Sequence, residues 1–255
     1  MTNQVIMTRY DSTGTKKKDE PMVREMRANL VINGELFLSM MCLPKDFEQM
    51  AVGFMFSEGL IESYNDISKI DATCTGNIFV FTRRPIEAIQ TEKVAKESGG
   101  IDGVVDLSFL SEKDRIKLEG NQIFSYKEIV EMMAQFNRQS DIFNECGGVH
   151  SAALRFKDGK DIFYEDVGRH NAVDKVIGAA LMENLPIKEG LLLISGRIST
   201  EIVLKTVRLG IPVLVSQSGP TSVSLAIAQE TNMTLIGFAR GMRFNVYSGA
   251  FRVTS

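Results

Sequence analysis

Four short stretches of this 255-residue chain concentrate residue types that hold anions or move protons. Two of them are Ser195-Gly196-Arg197 with Ser199, and Ser216-Gln217-Ser218-Gly219 with Thr221 and Ser222. Each follows an apolar run, Leu191 to Ile194 or Pro212 to Val215, and precedes a helical pattern. In open α/β sheets, ligands bind beyond the carboxyl ends of the strands, where helix N-termini offer free N–H donors and partial positive charge. Glycine and small hydroxyl residues let a phosphate oxygen approach the backbone there, and Arg197 adds a fork of donors. The same serines could equally be plain N-caps. The third stretch is Glu165-Asp166-Val167-Gly168-Arg169-His170-Asn171, opening a helix that carries Asp174 and Lys175. It is more polar than a cap requires, which makes His170 and Asn171 candidate ligand groups, although a lone histidine is often structural. The fourth runs Phe238-Ala239-Arg240-Gly241-Met242-Arg243. Two arginines flanking a glycine after a strand make an anion or purine-nucleotide clamp, with Phe238 or Phe244 to stack; the alternative is a pair of solvated arginines.

The chain must supply elements that position these stretches, and its composition permits that. With 44% hydrophobic and 24% charged residues it is ordinary globular material, which excludes disorder, collagen and coiled coil for the bulk of the chain. A net charge of −3 gives no broad basic field, so a nucleic-acid partner is not expected. Three separated cysteines (Cys42, Cys74, Cys146) and two histidines form neither a disulfide framework nor a zinc set, so a reducing compartment and no metal site are expected. Residues 1–19 lack the apolar core of a signal peptide, and no run approaches the ~20 residues of a membrane helix. The expected location is the cytoplasm, with no membrane association.

Residues 1–19, with Lys16, Lys17 and Lys18, read as a flexible arm. Val23 to Ile32 and Glu35 to Cys42 read as strands joined at Asn33-Gly34, the preferred pair for a two-residue hairpin. Pro44 to Leu60 has helical spacing, and Ile67 to Thr82 holds two strand-like runs around Thr75-Gly76-Asn77, with Cys74 read as lying in a strand. Arg83 to Asn121 is polar and glycine-interrupted. Ser125 with Glu128 is a capping box for a helix from Lys127 to Arg138. Beyond Cys146 the pattern is regular. A hairpin (Ala152 to Phe156, Ile162 to Glu165) precedes a helix over Asn171 to Glu183. Strands at Leu191 to Ile194, Pro212 to Val215, Thr234 to Phe238 and Phe244 to Tyr247 then follow, with helices up to Leu209 and over Val223 to Glu230. This order predicts an α/β layered core with a smaller strand-rich N-terminal lobe. The expected divisions are an arm (1–19), an α+β lobe (20–95), a mobile loop or linker (96–125) and a C-terminal α/β cofactor-binding lobe (126–255).

The string Glu165-Asp166-Val167-Gly168-Arg169-His170-Asn171-Ala172-Val173-Asp174-Lys175 carries a further signal, together with Gly147-Gly148-Val149-His150-Ser151-Ala152-Ala153. With Asn33-Gly34-Glu35, Gly53 to Ile61, Ser195-Gly196-Arg197, Ile211-Pro212-Val213 and Phe238 to Tyr247, the chain resembles the FdhD family from about Glu20 to Val253. The resemblance implies a cytidine-deaminase-like core and a formate dehydrogenase accessory role. In that role sulfur passes from a cysteine desulfurase to the bis-molybdopterin guanine dinucleotide cofactor of molybdenum or tungsten. The cofactor is then inserted into the catalytic subunit of formate dehydrogenase. It also implies that the guanine nucleotide ends bind along Phe238 to Arg243, so that GDP is a mimic, and it leaves a homodimer open. The family's C-G-x-C-G persulfide loop is replaced here by Gly99-Gly100-Ile101-Asp102-Gly103, with Gly99 at the persulfide position. Neither glycine nor Asp102 can carry a persulfide. Cys146, beside Gly147 and Gly148, is the candidate for a relocated thiol, against the alternative of an inert buried cysteine. Two readings follow: a sulfur carrier using Cys146 or a partner's thiol, and a cofactor-binding chaperone that transfers no sulfur. A deaminase is disfavoured, since H-x-E paired with P-C-x-x-C is missing.

Overall fold

In the computed structural model, which describes residues 1–86, 107–120 and 122–255, the polar N-terminus is not a flexible arm. β1 (Thr2–Asp11) and β2 (Gly14–Val23) pair along their whole length as an antiparallel ribbon, Thr2 opposite Val23 and Asp11 opposite Gly14. Most of its side chains face solvent, so the apolar alternation that marks a half-buried strand is missing from the sequence. The ladder hydrogen bonds, indifferent to side-chain type, hold the ribbon together.

Asn33 and Gly34 both take positive φ, 51° and 92°, as a two-residue hairpin needs. They join β3 (Met26–Ile32) to β4 (Glu35–Cys42); with β5 (Ile67–Ala72) and β6 (Asn77–Thr82) these form a four-stranded sheet of order β4-β3-β6-β5. α1 (Phe47–Ser57) covers it, packing Met50, Ala51, Val52 and Met55 against Ala28, Leu30, Ile78 and Val80. Cys74 lies on the exposed turn between β5 and β6 rather than in a strand.

The expected mobile linker is anchored where it is described. Leu110 and Leu118 are buried, Asp114 accepts from Arg208 Nε at 2.8 Å, and Arg252 donates to the carbonyls of Leu118 and Gly120. Burial alone would raise the Asp114 pKa, but the Arg208 and Ser111 hydrogen bonds together hold it below the usual carboxylate value. The Gly99 to Gly103 stretch, Asp102 included, lies outside the described residues.

β7 (Phe124–Ser125) pairs with the terminal β14 (Val253–Thr254). Ser125 caps α2 (Tyr126–Arg138) through the capping box with Glu128. A short α3 (Asp141–Cys146), invisible as periodicity at one and a half turns, leads into the main sheet. That sheet contains β8 (His150–Arg155), β9 (Asp161–Asp166), β10 (Leu191–Ile194), β11 (Val213–Ser216), β12 (Thr234–Arg240) and β13 (Arg243–Ser248), in the order β13-β12-β11-β10-β8-β9. β10, β11 and β12 run parallel and the other pairs antiparallel. Side chains alternate across it. Leu192, Ile194, Leu214 and Leu235 meet α4 (Arg169–Met182), α5 (Thr200–Arg208) and α6 (Ser222–Glu230), whereas Leu191, Leu193, Val213 and Val215 meet Ile129, Met133 and Phe136 of α2. The layered α/β core and the smaller strand-rich lobe are thus both present. No helix among the described residues is long and apolar enough to cross a membrane.

The two cores meet through α1 and α4, the most extensive contact between elements. Gly53 and Gly178 make it possible: a Cβ on Gly178 would stand 1.9 Å from the Gln49 carbonyl oxygen, and one on Gly53 1.8 Å from that of Asp174. Buried charges reinforce the joint. Lys205 Nζ reaches both carboxylate oxygens of Asp174 at 2.5 and 2.6 Å, and Ser57 Oγ donates to the same group at 3.1 Å.

Candidate functional site

The loops after β10, β11 and β12 are laced together at one edge of the main sheet. Ser216 Oγ donates to the Gly196 carbonyl at 2.6 Å, Gln217 N to Ile194 at 3.2 Å, Ile198 N to Gly219 at 3.2 Å, and Phe238 N to Ser218 at 3.0 Å. The structure therefore brings Ser195-Gly196-Arg197, Ser218 and the Phe238 to Arg243 stretch to one place. The capping role falls to Thr221, whose hydroxyl accepts from Ser224 N at the start of α6. Ser199 makes no such bond, so the first N–H groups of α5 have no side-chain cap.

Phe238 is the unusual residue of this edge. It has φ 52°, in the left-handed region that bulky side chains rarely occupy, where the β12–β13 register shifts between Gly237 and Arg240. Such a conformation costs on the order of 1–3 kcal/mol and persists where the surroundings impose it. The Ser218 carbonyl and Gly219 do so: a Cβ on Gly219 would lie 2.7 Å from Phe238 Cζ. The residue is left 45% exposed. Phe238 has an aromatic neighbour in Tyr247, ring centroids 6.5 Å apart, and Phe244, the other candidate for stacking, is engaged with Tyr126 at 5.6 Å on the α2 face. Within the clamp stretch, Ala239 is core, Gly241 makes the turn with φ 59°, and Met242 is 72% exposed while its carbonyl accepts from Tyr126 Oη. Arg240 and Arg243 are exposed and stand opposite each other across the β12–β13 pair, like charges that an anion would reconcile. Arg240 Nε is held by the Gln217 carbonyl at 2.8 Å.

A second cluster lies where β8, β10, α4 and α5 converge. His150 Nδ1 is 3.2 Å from Ser195 Oγ, which also accepts from Ser151 N at 3.0 Å. A Cβ on Gly196 would stand 3.2 Å from Arg169 Cβ and Cδ and 3.5 Å from His150 Nδ1. His170 Nε2 is 2.9 Å from Glu201 Oε2 and 3.4 Å from Ser199 Oγ. Burial pushes the His170 pKa down to about 4; Glu201 opposes this, while Arg169, Lys205 and His150 add to it. Burial, then Arg169, lowers His150 as well. His170 is therefore neutral at neutral pH, and the same causes favour the neutral form of His150. Arg169 Nε is buried without a hydrogen-bond partner among the described residues. Sequence reasoning did not single out His150 or Glu201 as site residues, and it named Arg169 only within the polar third stretch. His150 belonged to a quoted motif, but nothing local announced its proximity to Ser195.

Asn171 has a different employment from the one expected. Its amide nitrogen donates to Asp166 Oδ1 and to the Met41 carbonyl, both at 2.8 Å, tying α4 to the N-terminal lobe. Asp166 also accepts from Leu43 N and Gly168 N and pairs with Lys175 at 2.8 Å, both side chains fully buried. Much of the polar string is therefore a bracket between lobes.

None of the described cysteines is displayed at the strand edge. Cys42 is buried, and that burial, with Asp166 nearby, raises its pKa to about 12. Cys146 is half-buried at the end of α3, its Sγ donating to the Ile142 carbonyl at 3.2 Å. Native-state alkylation near neutral pH should label Cys74 first and Cys146 more slowly. Cys42 should react about a thousandfold more slowly than an ordinary thiol, following its smaller thiolate fraction. Mass mapping that finds Cys42 labelled alongside Cys74 would contradict its buried placement.

A mixed sheet with helices on both faces and polar loops at its parallel strand ends defines a layered α/β protein. More particularly, the chain matches the model of the FdhD/NarQ family over residues 23–254 and belongs to that family. It is 36% identical over 248 residues to the sulfur carrier protein FdhD of Wolinella succinogenes (93% of this chain, 84% of that one). It is 37% identical over 222 residues to the sulfur carrier protein FdhD of Saccharolobus solfataricus (86% and 84%). Its fold resembles the crystal structure described as "a putative formate dehydrogenase accessory protein from Desulfotalea psychrophila", with a TM-score of 0.82 and 26% identity over 99% of both chains.

Proposed function

We propose that this chain is a formate dehydrogenase accessory protein that binds the bis-molybdopterin guanine dinucleotide cofactor by its guanine nucleotide ends. In this role it supports the cofactor's sulfuration and insertion in the cytoplasm. The observation that carries the reading is Phe238, held in a left-handed conformation, half-exposed over Gly219 and beside two arginines. A flat apolar face beside paired guanidinium groups suits a guanine base. The cofactor would be held as cargo: Phe238 would stack the base, and Arg240 and Arg243 would face the O6 and N7 acceptor edge of guanine. The formate dehydrogenase catalytic subunit and a cysteine desulfurase are the implied partners, and a homodimer would present two nucleotide sites to the cofactor's two ends.

Two of the three thiols favour the non-transferring form of this role, and the third, Cys74, is exposed on the β5–β6 turn rather than at the strand edge that holds Phe238. Cys42 is protonated and buried, and Cys146 is partly covered and hydrogen-bonded to its own helix. Incubation with a desulfurase and cysteine should leave the chain without persulfide, while formate dehydrogenase maturation persists in Cys146→Ser. Near-stoichiometric persulfide on Cys146 would restore the sulfur-carrier reading.

Calorimetry tests the clamp. Arg240→Ala should weaken GDP binding roughly ten- to a hundredfold, the loss typical of one charge-assisted contact. Unchanged affinity would remove these residues from the site.

A further inference from the structure

We propose that Arg169, His150 and His170 form a second, oxyanion-binding subsite between the starts of α4 and α5, which takes the phosphate end of the ligand whose ring lies on Phe238. The placement relative to Phe238 rests on the nucleotide reading above; the anion chemistry stands on its own observations. Arg169 carries a buried Nε with no partner among the described residues, in a fold that satisfies most of its other buried polar groups. Gly196 brings the β10 loop against this side chain, where a Cβ would stand 3.2 Å from it, leaving backbone rather than a side chain beside the guanidinium stem. The α4 N-terminus begins at Gly168 and that of α5 at Ser199, neither with a side-chain cap, and α4 has no acidic residue in its first turn. Their partial positive ends add to Arg169.

The electrostatics point the same way. Arg169, Lys205 and His150 all disfavour a charge on His170, and Arg169 disfavours one on His150. Burial first, and then basic groups from three elements, α4, α5 and β8, thus oppose a proton on either imidazole. Lys205 is already matched by Asp174. The opposing charge on His170 is Glu201, whose side chain is 71% exposed and free to turn to solvent. An anion seated here would offset that opposition and raise the affinity of both imidazoles for protons. The spacing also suits one extended ligand. The subsite lies between β8 and β10 and Phe238 at the end of β12, so three strand spacings, about 14 Å, separate the outer strands.

The chain has two histidines and both are in this cluster, so their ring-proton resonances report on it without crowding. Sulfate serves as the probe because its charge is fixed over the range titrated. Without anion, both histidines should titrate below the ordinary value of about 6.5, with His170 near 4. Sulfate or pyrophosphate should move both midpoints upward by roughly one pH unit, and sulfate should therefore bind about a hundredfold tighter at acid than at alkaline pH, about tenfold for each imidazole. Arg169→Gln should abolish the movement and Arg169→Lys restore part of it. GDP should reproduce the movement and guanosine should not. Histidines that ignore tens of millimolar sulfate and pyrophosphate in the unaltered protein would overturn the subsite. In that case GDP binding sensitive to Arg240→Ala would still leave the nucleotide clamp standing. Movement with pyrophosphate but not with GDP would overturn the link to Phe238.

Discussion

Gly178→Ala should destabilise the fold by about 3 kcal/mol or more, because the added methyl cannot be housed between α1 and α4. The two contributions to this change have opposite signs. Replacing a mid-helix glycine by alanine favours the helix by roughly 1 kcal/mol. Against this, the new Cβ would lie 1.9 Å from the Gln49 carbonyl oxygen and 2.9 Å from Gly53 N, both backbone atoms that cannot rotate away. The helices must therefore separate, and the separation strains the Asp174 network, which joins Ser57 of α1 to Lys205 of α5 through α4. For a chain of this size the melting temperature should fall by roughly 6–12 °C. Thermal melts showing Gly178→Ala as stable as the parent would mean that the close approach of the helices is not a constraint.

Lys175→Met should cost about 3–5 kcal/mol, the usual penalty for leaving one charge of a buried pair uncompensated. Asp166 would keep its contacts from Leu43 N, Gly168 N and Asn171 Nδ2, which are hydrogen bonds without a countercharge. Lys175 also donates to the Glu165 carbonyl at 3.1 Å, and methionine would leave that acceptor unpaired. The double variant Asp166→Asn with Lys175→Met removes both charges and should be less destabilised than the sum of the single changes. Urea denaturation of the three variants gives the coupling. Because Asp166 holds the Leu43 amide, the single variant should also speed amide exchange at Leu43, in the other lobe. A loss below about 1 kcal/mol in Lys175→Met would show that the pair is not the bracket its burial implies.

The nature of that bracket bears on how the polar string of the third stretch divides its labour. Asp166, Asn171, Asp174 and Lys175 are committed to the fold, whereas Arg169 and His170, in the same helix turn, face the cluster with His150. Residue type alone marks His170 and Asn171 as candidate ligand groups and leaves the structural alternative open. The members of the string differ only in which neighbouring element each side chain meets.

Much of the architecture was legible from local rules. The Asn33-Gly34 hairpin, the Ser125 and Glu128 capping box and the alternation that sends Leu192 and Leu191 to opposite faces each depend on residues close in sequence. So does the strand–turn–helix order that put Ser195, Ser218 and Phe238 at neighbouring strand ends. Local rules failed where side chains face water, as in the β1–β2 ribbon, and where an element is too short to show a period, as in α3. The tertiary structure alone left Phe238 more exposed than Phe244, turned Asn171 inward and assembled the histidine cluster. Those outcomes join residues far apart: His150 to Ser195 across 45 positions, Ser57 to Asp174 across 117, Leu43 to Asp166 across 123. Periodicity and propensity report how one segment meets solvent and core. Which carboxylate finds which amine, and where two backbones must touch, is set by packing between segments that share no local pattern.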